Sequence, residues 1–436
     1  MSVTTTAAGF TQASFNRFLA LRDEPAWLRE LRSDAWQKFL ALPMPSQRDE
    51  EWMRTDIRTL RLEKFGFPSD APATGAAPNG LLTHGVDLGG QTIAIDSRPH
   101  TARLNEKWAA KGVLFGSLDE LVASHGEIVK KHLFRAFTPG YDRFAALHAA
   151  AWSGGTLLYV PRGVVVDEPF HMLSALTSGG VDLGHTLVIL EDGAEATLLA
   201  ETSSLAEGGA GLHMGGIELL VGPRARLRYV NFQNWSAGVW HFAHQKALVD
   251  SDASLQWTIA ALGAKLAKVN QHVALTGPGA TAQVNGVMFT EGKQHLAYNT
   301  LQHHEASQCR SDLLYKAALQ DDSRTVWRGM IRVDEGAQKT DGYQRNDNLM
   351  LSEHSRSDSI PGLEILADDV RCTHGSTTGR VDDEQLFYAR CRGLTRKEAV
   401  RMVVTGFFQQ VFDRITIESV REALGLAIAR RIREYE

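Results

Sequence analysis

"VGPRARLRY", residues 221–229, places a Gly-Pro turn directly before a short run in which small or apolar residues alternate with arginine. The same grammar, a turn carrying Gly, Asp or Ser followed by an alternating strand, returns along the chain. It is seen in "EDGAEATLL" (191–199), "DSDASLQWT" (250–258) and "TGPGATAQV" (276–284), then in "HEASQCRSDLL" (304–314), "DDSRTVWRG" (321–329) and "DEGAQKTDG" (334–342). The turns recur at roughly 26 to 30 residues and then at roughly 13 to 17, spacings close to those of repeat architectures. Alternation sends every second side chain to one face, and a single coil of this size cannot cover that face alone, so the coils are expected to stack as a β-helix. An antiparallel sandwich is the competing arrangement, but Asn-Gly hairpin signals occur only at Asn79 and Asn285. A solenoid exposes strand edges at its ends, and the flanking helical segments are expected to cap them.

Working outward, "EPAWLRELRSDAWQKFLALP" repeats Trp27, Leu28, Leu31, Ala35, Trp36, Phe39 and Leu40 on one face of a helical period, and Pro43 and Pro45 stop it. Ser46 is expected to cap a second helix through "SQRDEEWMRTDIRTL". From about Phe65 to Gly80 the composition is that of a linker, and a helical patch, "SLDELVASHGEIVKKHLF" (117–134), interrupts a mixed region. The last segment opens on "TRKE", a capping box in which Glu398 follows Thr395 by three residues. Val400, Val403, Val404, Phe407, Phe408, Val411 and Ile415 then form a wide apolar face, and Ile417, Val420, Leu424, Ile428 and Ile432 continue into a further helix. That face either packs on the chain's own solenoid or receives a partner. The expected organisation is a helical and mixed α/β region over 1–150, a β-helix core over 151–392 and a helical region over 393–436.

Composition removes several function classes. Hydrophobic residues at 43% and charged residues at 22% describe a globular chain, and a net charge of -5 argues against nucleic acid as the main partner. The beginning, "MSVTTTAAGFTQASF", has no secretory h-region and no apolar run is long enough to span a membrane, so the cytoplasm is the expected compartment. GxxxxGK[ST], GxSxG and HExxH are all missing, which removes the usual support for ATP binding through a P-loop and for serine-hydrolase or zincin chemistry.

Cys309, Cys372 and Cys391 are the only cysteines, too few for a disulfide framework. His241, His244, His295, His303 and His304, with Cys309, cluster in the strand region, but no second Cys/His pair stands at zinc-finger distance. Cys372 and His374, two apart in "DDVRCTHG", are the better pair: on a strand they project from one face with Cα atoms roughly 6.5 Å apart. Two ligands do not close a tetrahedral site, so Asp368, Asp369, another coil or a second protein must supply the rest. The plainer alternative is a small buried cysteine beside a histidine that caps the turn at Gly375.

The stretch "ADDVRCTHGSTTGRVDDEQLFYARCRGLTRKEAVRMVVTGFFQQV" closely resembles the C-terminal signature of the SufB/SufD family, and "PSQRDEEWMRTD" is similar to the family's early helical motif. The resemblance implies a right-handed β-helix and a non-catalytic scaffold subunit of SUF iron-sulfur cluster assembly. Gly375 stands where SufB members carry Glu, so the chain looks like the SufD branch. The same resemblance implies pairing with SufB along the β-helix, or a homodimer in isolation, and docking of the ATPase SufC on the region Gly393 to Ile415. Thr395, Glu398, Val403, Phe407, Phe408 and Val411 lie within that region. His374, with Cys372 beside it, then faces SufB across a site that holds transient iron or an iron-sulfur cluster, and no ATP is bound by this chain. A SufB-like scaffold and a β-helix enzyme acting on acidic polysaccharides are the competing functions.

Overall fold

The computed structural model describes residues 9–68, 78 and 80–432; most of the segment read as a linker, the Asn79 turn signal and both extreme termini lie outside the described residues. Two sheets alternate along the chain and wind into a β-solenoid of about 8 turns with helices before and after it. Every pairing within the coils is parallel and in register: Thr281 lies opposite Arg310, and Arg310 opposite Asp341. Antiparallel pairing is confined to the start, where Gly90–Ile95 meets Arg98–Leu104 and Leu114–Ser117 meets Thr156–Val160. The sandwich is therefore excluded.

Parallel register stacks like on like. Tyr229, Trp257, Val284 and Leu313 form one inward column, each opposite the next and each buried. Each such side chain stabilises the fold by roughly 1.5–3 kcal/mol. The Asn285-Gly286 pair makes no turn; it sits inside the strand Thr281–Thr290. A Cβ on Gly286 would come within 2.3 Å of the Tyr315 ring, so glycine there leaves room for the tyrosine of the next coil.

Both outer faces carry apolar patches, and these decide where the helices go. Ala26–Ala41 buries Leu28, Ala35, Trp36 and Phe39, as the periodicity predicts, in a cluster layer that joins Arg143–Ala151 to the outside of one sheet. Phe144 stacks on Phe242 of that sheet at 4.1 Å. The helices Asp383–Cys391, Arg396–Phe412 and Glu418–Arg431 cover the other sheet, where Val230, Phe232, Val287, Phe289 and Leu314 face outward. The expected helical cap is corrected here: among the described residues no helix lies across the final coil, because the helices are spent on the flat faces.

The second N-terminal helix is a further correction. Ser46 accepts from Arg48 N at 3.2 Å as a cap would, yet only a 3₁₀ turn, Glu50–Trp52, forms. The Glu51 carbonyl that a helix would give to Thr55 receives Lys268 Nζ instead, at 2.8 Å, and Trp52 is buried close to Phe144 and Phe242. Tertiary contacts override the local preference.

Histidines that burial keeps neutral tie stability to pH. His304 is fully buried, with Nε2 2.8 Å from Ser311 Oγ, and burial lowers its pKa to about 4; burial also lowers His295 to about 4. An unfolded histidine titrates near 6.5, so the unfolded chain binds protons first as the pH falls. The stability these groups confer is complete above about pH 6.5 and lost progressively down to about pH 4. At pH 5.5 each should cost about 1.4 kcal/mol, and urea midpoints across this range for the wild type and His304→Gln should show the variant losing less.

Candidate functional site at the open end of the solenoid

The last strands of the two sheets, Arg356–Ile365 and Val370–Arg380, each pair on one side only. They contrast with the buried strands before them: Leu363, Ile365 and Leu366 are exposed, and most of Val370–Arg380 faces solvent. Two unpaired edges of this length are a template for another chain.

His374 lies opposite Gln344, and Cys372 opposite Gly342, on the strand Thr340–Met350. Parallel register keeps paired residues on one face, so both continue inward-facing columns of the solenoid and stand over its interior where no further coil covers them. Gln344 beneath is buried and its Nε2 donates across to Gly362 O at 3.0 Å. His374 is exposed and makes no side-chain hydrogen bond to the described residues. Cys372 is half-buried against Ile331, Val333, Ala337 and Ala367. Burial pushes its thiol up, a backbone hydrogen bond from Gly342 opposes this, and Asp341 adds to it. Thiolate formation is therefore harder than for a free cysteine until a cation is present.

Among the described residues no group of three or more His, Cys, Asp and Glu side chains is arranged to hold a metal ion, so neither Asp368 nor Asp369 completes a site with the pair. The other candidates disperse. His303 and His304, adjacent on one strand, face opposite sides: His303 lies outside, 3.1 Å from both Glu305 and Asp334, while His304 lies inside. Cys309 is buried with its thiol donating to Gly277 O.

The sequence reading missed the polar lining of the last coils. Asn348 Nδ2 donates to Asn346 Oδ1 at 2.8 Å and to Ser359 Oγ at 3.0 Å, and Gln302 Nε2 donates to Ser311 Oγ at 2.7 Å. The signal was available as inward parity: Gln344, Asn346 and Asn348 share the parity of the column residues in "YQRNDN". The amide nitrogens of Gln302, Gln344 and Asn348 find partners, whereas Gln302 Oε1 and Gln344 Oε1 are buried and bonded to nothing among the described residues.

In the C-terminal layer, Thr395 and Glu398 form the capping box at the start of Arg396–Phe412. Phe408 and Val411 are fully buried, and Val403 and Phe407 pack partly buried against the same cluster. The outward side presents Met402, with Phe387 and Tyr388 exposed on the preceding helix.

The parallel solenoid thus ends in a coil with two unpaired strand edges, on which His374 is exposed and Cys372 half-buried. The profile described as "SUF system FeS cluster assembly, SufBD core domain" matches residues 173–407, and that of the "SufBD protein N-terminal region" matches residues 15–172. The chain belongs to the SufBD family. It is 31% identical over 405 residues to an iron-sulfur cluster assembly SufBD family protein of Mycobacterium tuberculosis, covering 90% of each chain. It is 25% identical over 435 residues to one of Staphylococcus haemolyticus, covering 96% of this chain and 92% of that one. The iron-sulfur cluster assembly protein SufB of Bacillus subtilis is 24% identical over 434 residues, with 96% and 92% covered. Among the described residues no helix is long and apolar enough to cross a membrane.

Proposed function

We propose that this chain is a SufD-type, non-catalytic scaffold of cytoplasmic SUF iron-sulfur cluster assembly, working through its open end. The observation that carries the reading is the final coil, whose edges are unpaired and whose inward column ends in exposed His374 beside Cys372. A SufB-type subunit pairing with those edges would bury them and bring the missing ligands, so that iron or a nascent cluster is held transiently between subunits. SufC is assigned to the outer side of the C-terminal helical layer, and nucleotide-driven movement of that layer would shift the packed coils.

The SufD assignment rests on Gly375, where SufB members carry an acid. A Cβ at Gly375 would meet open space, so nothing steric forbids the acid. The similarity to Bacillus subtilis SufB over nearly the whole chain favours a second reading, a SufB-like or homodimeric scaffold. Native mass measurement of the chain with SufC, with and without a SufB-type chain, separates the two.

Changing His374 to Ala tests the site. His374 is exposed and makes no side-chain hydrogen bond to the described residues, so unfolding stability should stay within about 0.5 kcal/mol and SufC capture should persist, while cluster formation by the assembled complex falls to background. Normal cluster yield from that variant would remove His374 from the proposal.

A further inference from the structure

A cleft of about 290 Å³ opens on the outer face of the N-terminally covered sheet, away from the Cys372–His374 pair. Its floor is five neighbouring strands, the fifth contributing only Glu364, and its wall is the segment 136–141 with Glu51. The wall is fixed in advance. Glu218, buried, accepts from the backbone of Phe134 and Ala136 at 2.6 Å each and of Phe137 at 3.0 Å.

The floor holds polar groups that the protein leaves unused. Asn270 and Asn299 are register partners on adjacent strands, as are Lys246 and His272. Asn270 Oδ1, His272 Nε2 and Asn299 Nδ2 are buried and bonded to nothing among the described residues. The neighbouring charges are already engaged: Arg328 with Glu50, Arg332 with Asp334, and Glu51 with the Tyr141 hydroxyl. Two charges are exceptions with no ion pair or hydrogen bond to the described residues: Glu364, an exposed carboxylate, and Lys246, a half-buried ammonium. Burial lowers its pKa, and only the longer-range fields of Glu305 and Glu218 oppose this. Phe137, Leu301 and Met330 supply apolar surface beside these groups.

Unpaired buried polar groups are costly, and a preformed cleft that collects a cation, a donor and an acceptor around an apolar patch has the make-up of a ligand site. We propose that this cleft binds a small organic anion whose carboxylate or phosphate meets Lys246 and the Asn299 amide. Its own hydroxyl or N–H donates to Asn270 Oδ1, and its flat apolar body lies against Phe137, Leu301 and Met330. His272, held neutral by burial with a pKa lowered to about 3, adds a hydrogen bond but no positive charge.

The test is calorimetric titration of the full chain with 4-hydroxybenzoate and 4-hydroxyphenyl phosphate, with methyl 4-hydroxybenzoate as the uncharged control. At least one anion should bind, with the ester about tenfold weaker or worse. Lys246→Met and Asn299→Leu should each weaken the anion by about tenfold or more. The unliganded Lys246→Met protein should melt at the wild-type temperature or higher, since it loses a desolvated, unpaired charge; a purely structural lysine would lower it. The proposal is overturned if neither anion binds at millimolar concentration, if both variants bind within about twofold of wild type, or if Lys246→Met lowers the melting temperature.

Discussion

Replacing Glu24 with Ala is expected to cost about 3–5 kcal/mol of folding stability. Its partner, Arg32, has a fully buried side chain. Arg32 Nε and Nη2 donate to the two Glu24 carboxylate oxygens at 2.8 Å each, Nη1 donates to Ala150 O at 3.2 Å, and the guanidinium lies 4.5 Å from the Trp152 ring centroid. Burial pulls the guanidinium pKa down and Glu24 opposes it, while Arg22, itself paired with Asp119, adds repulsion. Without Glu24 the guanidinium stays desolvated beside another cation, and the segment before Ala26–Ala41 loses its tie to that helix. An Arg32→Met, Glu24→Leu double variant should lose much less, because it removes both charges and leaves apolar bulk. Urea unfolding decides it: a loss under about 1 kcal/mol for Glu24→Ala would mean that water or another acid reaches Arg32.

Phe408→Ala should destabilise the C-terminal layer by about 3–5 kcal/mol, whereas Phe387→Ala should change stability by less than about 0.5 kcal/mol and abolish SufC capture. Phe408 is fully buried and Phe387 is 68% exposed. Phe408 stands between Phe407 and Phe412, at 5.2 and 6.1 Å, in the cluster that seats the helices on Val287, Phe289 and Leu314. Truncation there leaves a cavity that a rigid sheet cannot close. The two variants separate the seat of the layer from its outer face. If Phe408→Ala unfolded like wild type but lost SufC, the helix would have to turn its other side outward.

The division between core and surface on this helix was half legible. Periodicity in "TRKEAVRMVVTGFFQQV" marks one apolar face, and the capping box at Thr395 and Glu398 forms as the spacing requires, because both are local properties of a helix. Which body that face meets is not a local property. The outward-facing Val230, Phe232 and Val287 take it, leaving Phe387, Tyr388 and Met402 exposed on the other side.

The sequence by itself determined the solenoid, since a turn followed by alternation at a near-constant period can bury its apolar face only by stacking on its own copies. It also determined that Cys372 and His374 share a face, because the two-residue period of a strand is fixed by covalent geometry. Only the tertiary structure decided that this face is the interior of an unclosed final coil, that the helices cover flat faces rather than ends, and that Glu51 gives its carbonyl to Lys268 instead of to a helix. The same holds for the cleft around Lys246: Lys246, Asn270 and Asn299 stand on three successive coils, and nothing in the sequence near any of them announces the others. Period and parity are written in neighbouring residues, whereas which coil is last, and what reaches across from far along the chain, is set by the sum of burial over the whole molecule.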